Sequence, residues 1–354
     1  MHLCRLEKYG EEALAENQPR AEEAAQVQRL ELVIVQLEEV ERLIGIGRVP
    51  HLRLAHILLD SAAELIMHRM AKSELDHERY HFDQLENLRR LDAAGRGGAW
   101  CSDEIRRLEG IVVSKTRRKK IDNNFGDKID FLVERGRLPA DLGPVLKKLH
   151  EYRNETYHRD QHRVEVIRSA VLIYFDAACT VLEHYEPGTM IHSNSLGPEL
   201  RRLYEDLPRP RDLFKRPHLA AARLREEVGL DIDTVRSALR DHLLSRLADL
   251  EDGLAYVQEN LTSTDVMPGD AIRVMQIQDG DLDAIFDSEV LRSRPYPLTM
   301  SDIATWTARA TALDNLADKH ALFTEFGAIE DCFEELEQKV RKAVWDIDEQ
   351  ANMR

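Results

Sequence analysis

Residues 125–158 read FGDKIDFLVERGRLPADLGPVLKKLHEYRNETYH, and this stretch predicts two successive helices. The first helix begins at Phe125 and ends at Gly136, a residue type that commonly follows the end of a helix. Pro139 interrupts the pattern, and Pro144 suits the first turn of the second helix. We therefore predict helix on both sides of a short turn.

Helical patterns extend outward from this stretch in both directions. Apolar residues recur at steps of three and four from Leu30 to Ile44, within a helix predicted at 21–44. Ser102 is the expected N-cap of a helix that runs toward Lys120. Further helices are predicted at 52–74, 77–93, 163–185, 233–260, 301–326 and 329–350. No strand pattern of any length is present in the sequence, so we predict an all-α protein.

Prolines cluster between the two halves of the chain. Residues 187–218 contain five of them, which is typical of a linker. We therefore predict an N-terminal helix at 1–49, a helical bundle at 50–186 and a second helical domain at 219–354. A length of 354 residues is compatible with two such domains.

The composition also favours helices and restricts the function. Charged residues make up 32% of the chain and aromatic residues only 6%, while 43% of residues are hydrophobic, enough for a buried core. The formal net charge is −16, and an acidic surface repels nucleic acid. The net charge therefore counts against a protein that coats nucleic acid, but it does not exclude an enzyme with a small basic site.

Nothing in the sequence directs the chain to a membrane or out of the cell. No apolar run approaches the roughly 20 residues that cross a bilayer. The first residues contain no signal-peptide core. The four cysteines are far apart and form no C-x-x-C pair. We predict a cytoplasmic protein with no membrane partner.

One pair of residues has the chemistry needed to cut RNA without a metal. Arg153 and His158 are separated by four residues near the end of the second helix. Histidine transfers protons near neutral pH, and a guanidinium stabilises negative charge on a phosphorane. The spacing alone is weak evidence, because a chain this rich in arginine and histidine contains such pairs by chance.

In its helical context, this motif resembles the motif of the HEPN family. Members of that family are helical bundles with an R-x(4–6)-H motif, in which a polar residue often follows the arginine. Here the motif reads Arg153-Asn154-Glu155-Thr156-Tyr157-His158, and the segments at 125–132 and 149–152 are similar to the family as well. The resemblance covers about residues 50–186. It implies a metal-independent endoribonuclease that leaves a 2′,3′-cyclic phosphate, and such enzymes often serve as toxins or in antiviral defence.

The resemblance also implies that two protomers bring their motifs together at one site. On an ideal helix Arg153 and His158 are about 140° apart in azimuth, so they converge poorly. Either the helix ends near Tyr157 or a two-fold axis completes the site, and we expect residues 50–186 to suffice for the homodimer. Asn154 is a candidate to orient the phosphate or His158, and Tyr157 to stack on a base. A surface polar residue and a core or interface aromatic are the respective alternatives.

Basic residues before the motif are candidates for holding RNA phosphates in an otherwise acidic chain. They are Lys115, Arg117, Arg118, Lys119, Lys120, Lys147 and Lys148. A groove lined by them would produce a local positive field. A solvated helix face explains the run at 115–120 equally well.

Two other constellations were weighed. The letters His77-Glu78-Arg79-Tyr80-His81 match the zinc motif H-E-x-x-H, but the polar neighbours and the missing third ligand favour a surface helix. Asp60 and Glu64 either face the site or form a salt-bridged surface pair. We expect no metal and no cofactor.

The sequence therefore leaves two functions open. The first is a HEPN ribonuclease with RNA as its substrate and a C-terminal domain that contacts a regulatory protein or positions the RNA. The second is a non-catalytic helical protein that dimerises or binds RNA or nucleotide. Geometry separates them: a cleft shared by Arg153 and His158 of two protomers favours the enzyme, and burial of either residue in an intrachain contact counts against it.

Overall fold

The computed structural model describes residues 28–158, 164–186, 216–261, 265–277 and 287–352, apart from a few side chains within them. Helices occupy most of these ranges, and the described residues contain no strand. The prediction of an all-α protein is confirmed. The chain divides into two compact units, Met1–Leu230 and Asp231–Arg354.

The first unit is a bundle in which α2 and α8 pack against each other, with α6 and α7 beside them. Its helices are α1 (28–46), α2 (Val49–His77), α3 (Arg79–Ala93), α4 (Ala99–Glu109), α5 (Lys115–Asn123), α6 (Phe125–Glu134), α7 (Leu142–His158), α8 (Ile167–Glu183) and α9 (Arg216–Val228). The predicted stripe of α1 from Leu30 to Ile44 is buried, as expected. Helix α8 is buried along nearly its whole length, so it forms the centre of the bundle.

The helix expected from Ser102 toward Lys120 is two helices. Helix α4 begins after Gly98, and Ser102 lies inside it, so the predicted N-cap is wrong. The chain turns after Glu109, and the side chains of Val112 and Val113 are buried in this turn. Helix α5 then starts with Ser114 as its N-cap, because the Ser114 hydroxyl accepts from the backbone N–H of Arg117.

The second unit is built on two long helices that pack against each other, α10 and α14. Its elements are α10 (Ile232–Glu259), α11 (Asp270–Val274), α12 (Ser288–Ser293), α13 (Met300–Ala312), a 3₁₀ turn (Leu313–Asn315) and α14 (Lys319–Asn352). Helices α10 and α14 approach closely at Gly253, where an added Cβ would lie 2.7 Å from Val340 Cγ1.

The break between the last two helices differs from the sequence-based prediction. The sequence predicts the break between Phe326 and Ile329, but the chain breaks near Asp318 instead. The Asp318 carboxylate accepts from the backbone N–H of Ala321 and so caps the start of α14. Gly327 stays helical because Phe326 and Ile329 on either side of it are both buried in the core.

The boundary between the units follows α9, twelve residues after the predicted start of the second domain at 219. Helix α9 belongs to the first unit because Arg225 forms ion pairs with Asp176 and Glu183 of α8. Gly229 then turns the chain with a φ of +61°, which suits glycine, and Asp231 caps α10. The predicted linker at 187–218 lies mostly outside the described residues. Among the helices that the structure describes, none is long and apolar enough to cross a membrane.

Candidate functional site

Helix α7 carries the predicted motif on a well-anchored scaffold. Its apolar residues Leu146, Leu149 and Tyr152 are buried in the bundle, and this fixes the rotation of the helix. His150 and Arg153 are one turn apart on it, and both side chains reach Asp60 of α2. The helix includes His158, so Arg153 and His158 lie on one helix and the poor convergence expected from their spacing remains.

A buried carboxylate, Asp60, is the centre of the site, with only 2% of its side chain exposed. Its Oδ1 accepts from the Tyr174 hydroxyl at 2.6 Å and lies 2.8 Å from His150 Nδ1. Its Oδ2 lies 3.4 Å from Arg153 Nε, which makes an ion pair. A buried carboxylate requires such partners, and here helices α7 and α8 supply all three.

The imidazole of His150 is held on two sides. Because a carboxylate only accepts, the hydrogen in the contact with Asp60 belongs to His150 Nδ1. The Phe125 ring stacks on the imidazole with centroids 4.0 Å apart and planes inclined by 9°. Phe125 is placed by the start of α6, where Asn124 caps the helix by accepting from the backbone N–H of Asp127. The His150 side chain remains 24% exposed.

A second imidazole, His56, lies behind the site and is structural. Its Nε2 donates to the Leu149 carbonyl at 3.0 Å, and its ring meets the edge of Tyr174 with centroids 5.4 Å apart. Complete burial lowers the pKa of His56 from 6.5 to about 4, so the ring is neutral at pH 7. Burial also raises the pKa of Tyr174 well above its ordinary value, and the charge of Asp60 adds to this shift, so Tyr174 stays a donor.

Arg153 is half-buried, and 27% of its side chain is exposed. Its Nη1 donates to Asn154 Oδ1 at 3.0 Å, so Asn154 orients the guanidinium. The side chains of Tyr157 and His158 lie outside the described residues. The ion pair with Asp60 is an intrachain contact, and burial of Arg153 in such a contact counts against an enzyme. The Arg153 side chain nevertheless remains partly exposed.

The basic residues at 115–120 are divided between ion pairs and solvent. Three residues of this run form ion pairs: Lys115 with Glu86, Arg117 with Glu134, and Arg118 with Glu78. Lys119 and Lys120 are exposed and have no ion-pair partner in the part of the chain that is described. These two lysines are therefore the strongest candidates of this run for phosphate contacts.

The lysines of α7 are also paired. Lys147 Nζ lies 2.6 Å from Asp130 Oδ1, and Lys148 Nζ lies 3.2 Å from Glu151 Oε2. Lys148 is mostly buried, and its Nζ lies 5.3 Å from the centre of the Tyr152 ring. A phosphate would have to compete with these carboxylates, so the positive field near the motif is weaker than the sequence suggests.

The H-E-x-x-H letters do not fall on one helix. His77 is the last residue of α2, and His81 lies in α3. Between them Glu78 accepts from Arg135, Arg118 and the Val113 backbone N–H, so it ties three segments of the bundle together. No cluster of three potential metal ligands occurs among the described residues.

No known family model, curated protein or solved structure matches the chain.

Sequence analysis named Arg153 but not the residues that surround it. In the sequence, His150 belongs to the segment at 149–152 that is similar to the HEPN family. Its position three residues before Arg153 is the feature that could have indicated a role in the site. For Asp60 and Glu64 the sequence left two alternatives open, the site or a salt-bridged surface pair, and the structure places Asp60 beside Arg153. Glu64, its neighbour four residues on, is half-buried and lies 3.3 Å from the buried ammonium of Lys128. Tyr174 and His56 gave no signal in the sequence.

Proposed function

We propose that this chain is a metal-independent endoribonuclease of the HEPN type that acts as a homodimer in the cytoplasm. The observation that carries the proposal is the placement of Arg153. A partly exposed guanidinium is fixed on α7 by a buried carboxylate, Asp60, and lies beside an imidazole that contacts the same carboxylate. When RNA is cleaved by attack of its own 2′-hydroxyl, the reaction requires two groups, a cation and a proton carrier.

The proposed reaction starts with attack of the 2′-oxygen on the adjacent phosphorus. Arg153 would contact the non-bridging phosphate oxygens, whose negative charge increases in the phosphorane. The ion pair with Asp60 and the hydrogen bond from Nη1 to Asn154 Oδ1 restrict the guanidinium before RNA binds. The product would carry a 2′,3′-cyclic phosphate.

A homodimer is part of the proposal because His158 lies on the same helix as Arg153 but about 140° around it. A second copy of α7 across a two-fold axis would bring its own His158 toward the first copy's Arg153. The second unit, Asp231–Arg354, would then sense a trigger or position RNA, as in toxins and antiviral effectors.

The direct test is incubation of the purified full-length protein with total RNA, with and without EDTA, followed by analysis of the ends. The proposal expects cleavage in both conditions, with 2′,3′-cyclic phosphate and 5′-hydroxyl ends. Cleavage that EDTA abolishes and an added divalent metal restores would contradict the metal-independent mechanism. Intact RNA in both conditions, at enzyme concentrations in the micromolar range, would contradict the enzyme itself.

The alternative is a non-catalytic helical protein that dimerises or binds RNA, and one specific observation favours it. His150, Arg153 and Tyr174 all contact Asp60 within one chain, as in a purely structural network. On that interpretation substitutions at Arg153 change the free energy of unfolding, and no RNA is cut by any variant or by the wild type.

A further inference from the structure

We propose that His150 is a proton carrier of this site, accepting the proton of the RNA 2′-hydroxyl at its Nε2. The inference rests on the proposed ribonuclease function and deepens it. It assigns the role to a residue outside the R-x(4)-H motif, and it assigns Asp60 the role of positioning that residue.

His150 lies on the same side of α7 as Arg153. Residues three apart on a helix lie about 60° apart in azimuth, whereas residues five apart lie about 140° apart. His150 and Arg153 therefore share a side of α7, and both contact Asp60. Among the described side chains of α7, His150 supplies the imidazole that contacts the same carboxylate as the Arg153 guanidinium.

The Asp60 contact also fixes the tautomer of His150. Asp60 Oδ1 accepts the hydrogen of His150 Nδ1 at 2.8 Å, and a neutral imidazole with its hydrogen on Nδ1 carries a lone pair on Nε2. Among the residues that the structure describes, His150 Nε2 has no hydrogen-bond partner. Because the side chain is 24% exposed, this nitrogen can accept a proton from a bound molecule.

The ring of His150 is held rigidly. Phe125 stacks on one face of the ring, and the Tyr174 hydroxyl donates to the same Asp60 oxygen that His150 contacts. Both the ring plane and the carboxylate are therefore fixed by buried neighbours. In Ser-His-Asp triads, an aspartate sets the tautomer and orientation of the histidine in the same way, and this prepares the histidine to act as the general base.

The resulting step balances without a metal or a redox partner. The 2′-hydroxyl proton moves to His150 Nε2 while the 2′-oxygen forms a bond to phosphorus. The bond between phosphorus and the 5′-oxygen breaks, and that oxygen takes a proton from water. His150 then returns its proton to the resulting hydroxide, which leaves a 2′,3′-cyclic phosphate and a 5′-hydroxyl.

The test compares full-length variants on a labelled RNA oligonucleotide. In His150→Asn the side-chain amide can still donate to Asp60, but the atom equivalent to Nε2 is gone. Loss of a general base typically costs about 100-fold or more in rate, so we expect at least that loss with a melting temperature close to that of the wild type. His184→Asn is the matched control, because His184 is exposed at the end of α8 and bonds only its own helix at Thr180; it should cut at the wild-type rate.

Two further measurements separate a proton carrier from a structural residue. Added imidazole should restore part of the rate of His150→Ala but none of the rate of Arg153→Ala. Nitrogen-15 NMR of labelled wild-type protein should show His150 with its hydrogen on Nδ1, and Asp60→Asn should shift it toward the other tautomer.

The outcomes distinguish this inference from the proposed function. If the wild type cuts RNA, His158→Asn does not, and His150→Asn cuts normally, the assignment of His150 is wrong and the HEPN ribonuclease stands. If His150→Ala is inactive and imidazole restores nothing, His150 is structural. If the wild type cuts no RNA, both proposals fall together.

Discussion

His150 Nδ1 lies 2.8 Å from Asp60 Oδ1, across 90 residues of sequence and at the edge of the bundle core. The carboxylate is buried and the imidazole is partly exposed, so the pair connects the interior of the first unit to its surface. The same carboxylate also pairs with Arg153, which makes Asp60 the residue on which the geometry of the whole site depends.

The first prediction concerns the stability that Asp60 provides. Asp60→Asn keeps the shape of the side chain but removes its charge, which leaves the half-buried Arg153 guanidinium without its counterion. Removing one partner of a buried ion pair typically costs about 3 kcal/mol. Urea unfolding at pH 7 should show a loss of that order. Asp83→Asn, at an exposed position of α3, is the control and should change stability by less than about 0.5 kcal/mol.

The second prediction concerns the parallel N–H donors of the Arg153 guanidinium. Arg153→Lys retains a positive charge near Asp60 and so should leave the unfolding midpoint nearly unchanged. A lysine cannot offer two parallel donors to a phosphate, and we expect RNA cleavage to fall about 100-fold. Arg79→Lys, on an exposed residue at the start of α3, serves as the control. Equal cleavage rates for Arg153→Lys and the wild type would show that the guanidinium does not contact the phosphorane.

The third prediction is a pH dependence of stability that originates at His56. Its pKa is about 4 in the folded protein, below the 6.5 of an unfolded chain, so the unfolded state binds more protons between these values. The stabilising contribution of the neutral ring is therefore complete above pH 6.5 and is lost as the pH falls toward 4. By linkage the loss between pH 8 and pH 5 is about 2 kcal/mol.

Urea unfolding of the wild type and of His56→Gln at both pH values measures this contribution. Glutamine can still donate to the Leu149 carbonyl but does not titrate, so the variant should lose about 2 kcal/mol less than the wild type on acidification. Identical losses would show that His56 is already protonated in the folded protein at pH 5.

The periodicity of the sequence predicted the helices well but not all of their ends. The stripe from Leu30 to Ile44 is buried as predicted, because spacing within one helix determines which side faces the core. Gly136 follows the end of α6, as predicted, but a glycine does not always end a helix. Gly327 stays helical, since burial of Phe326 and Ile329 outweighs the modest helix propensity cost of glycine.

The candidate site was predictable only in part, for a physical reason. A local spacing indicates Arg153, whereas for Asp60 and Glu64 the sequence leaves open whether they face the site or lie on the surface. The contacts of Asp60 with His150 and Tyr174 join residues 90 and 114 positions apart, and no local pattern encodes such a contact. They arise because α2, α7 and α8 pack together, which is a property of the folded bundle.

The fourth prediction tests the close approach of α10 and α14 in the second unit. In Gly253→Ala the new Cβ would lie 2.7 Å from Val340 Cγ1, so the Val340 side chain or the helix backbones must shift, at a cost of about 1 to 3 kcal/mol. Gly45→Ala is the matched control, since an added Cβ meets nothing within 4 Å there and alanine favours the helix. Thermal unfolding should show Gly253→Ala melting lower than the wild type and Gly45→Ala melting at least as high.

The fifth prediction is that the full-length protein forms a two-fold homodimer through the first unit. We expected residues 50–186 to suffice, but α1 buries an apolar stripe and Arg225 of α9 pairs with Asp176 of α8. The isolated segment would expose these surfaces, so the full chain is the appropriate sample. Sedimentation at micromolar concentration should give a dimer. RNA affinity should fall as salt rises, because Lys119 and Lys120 would contact phosphates. A strict monomer that cuts RNA would contradict the shared site, and the proton carrier beside Arg153 would then have to come from the same chain, where His150 is already in place.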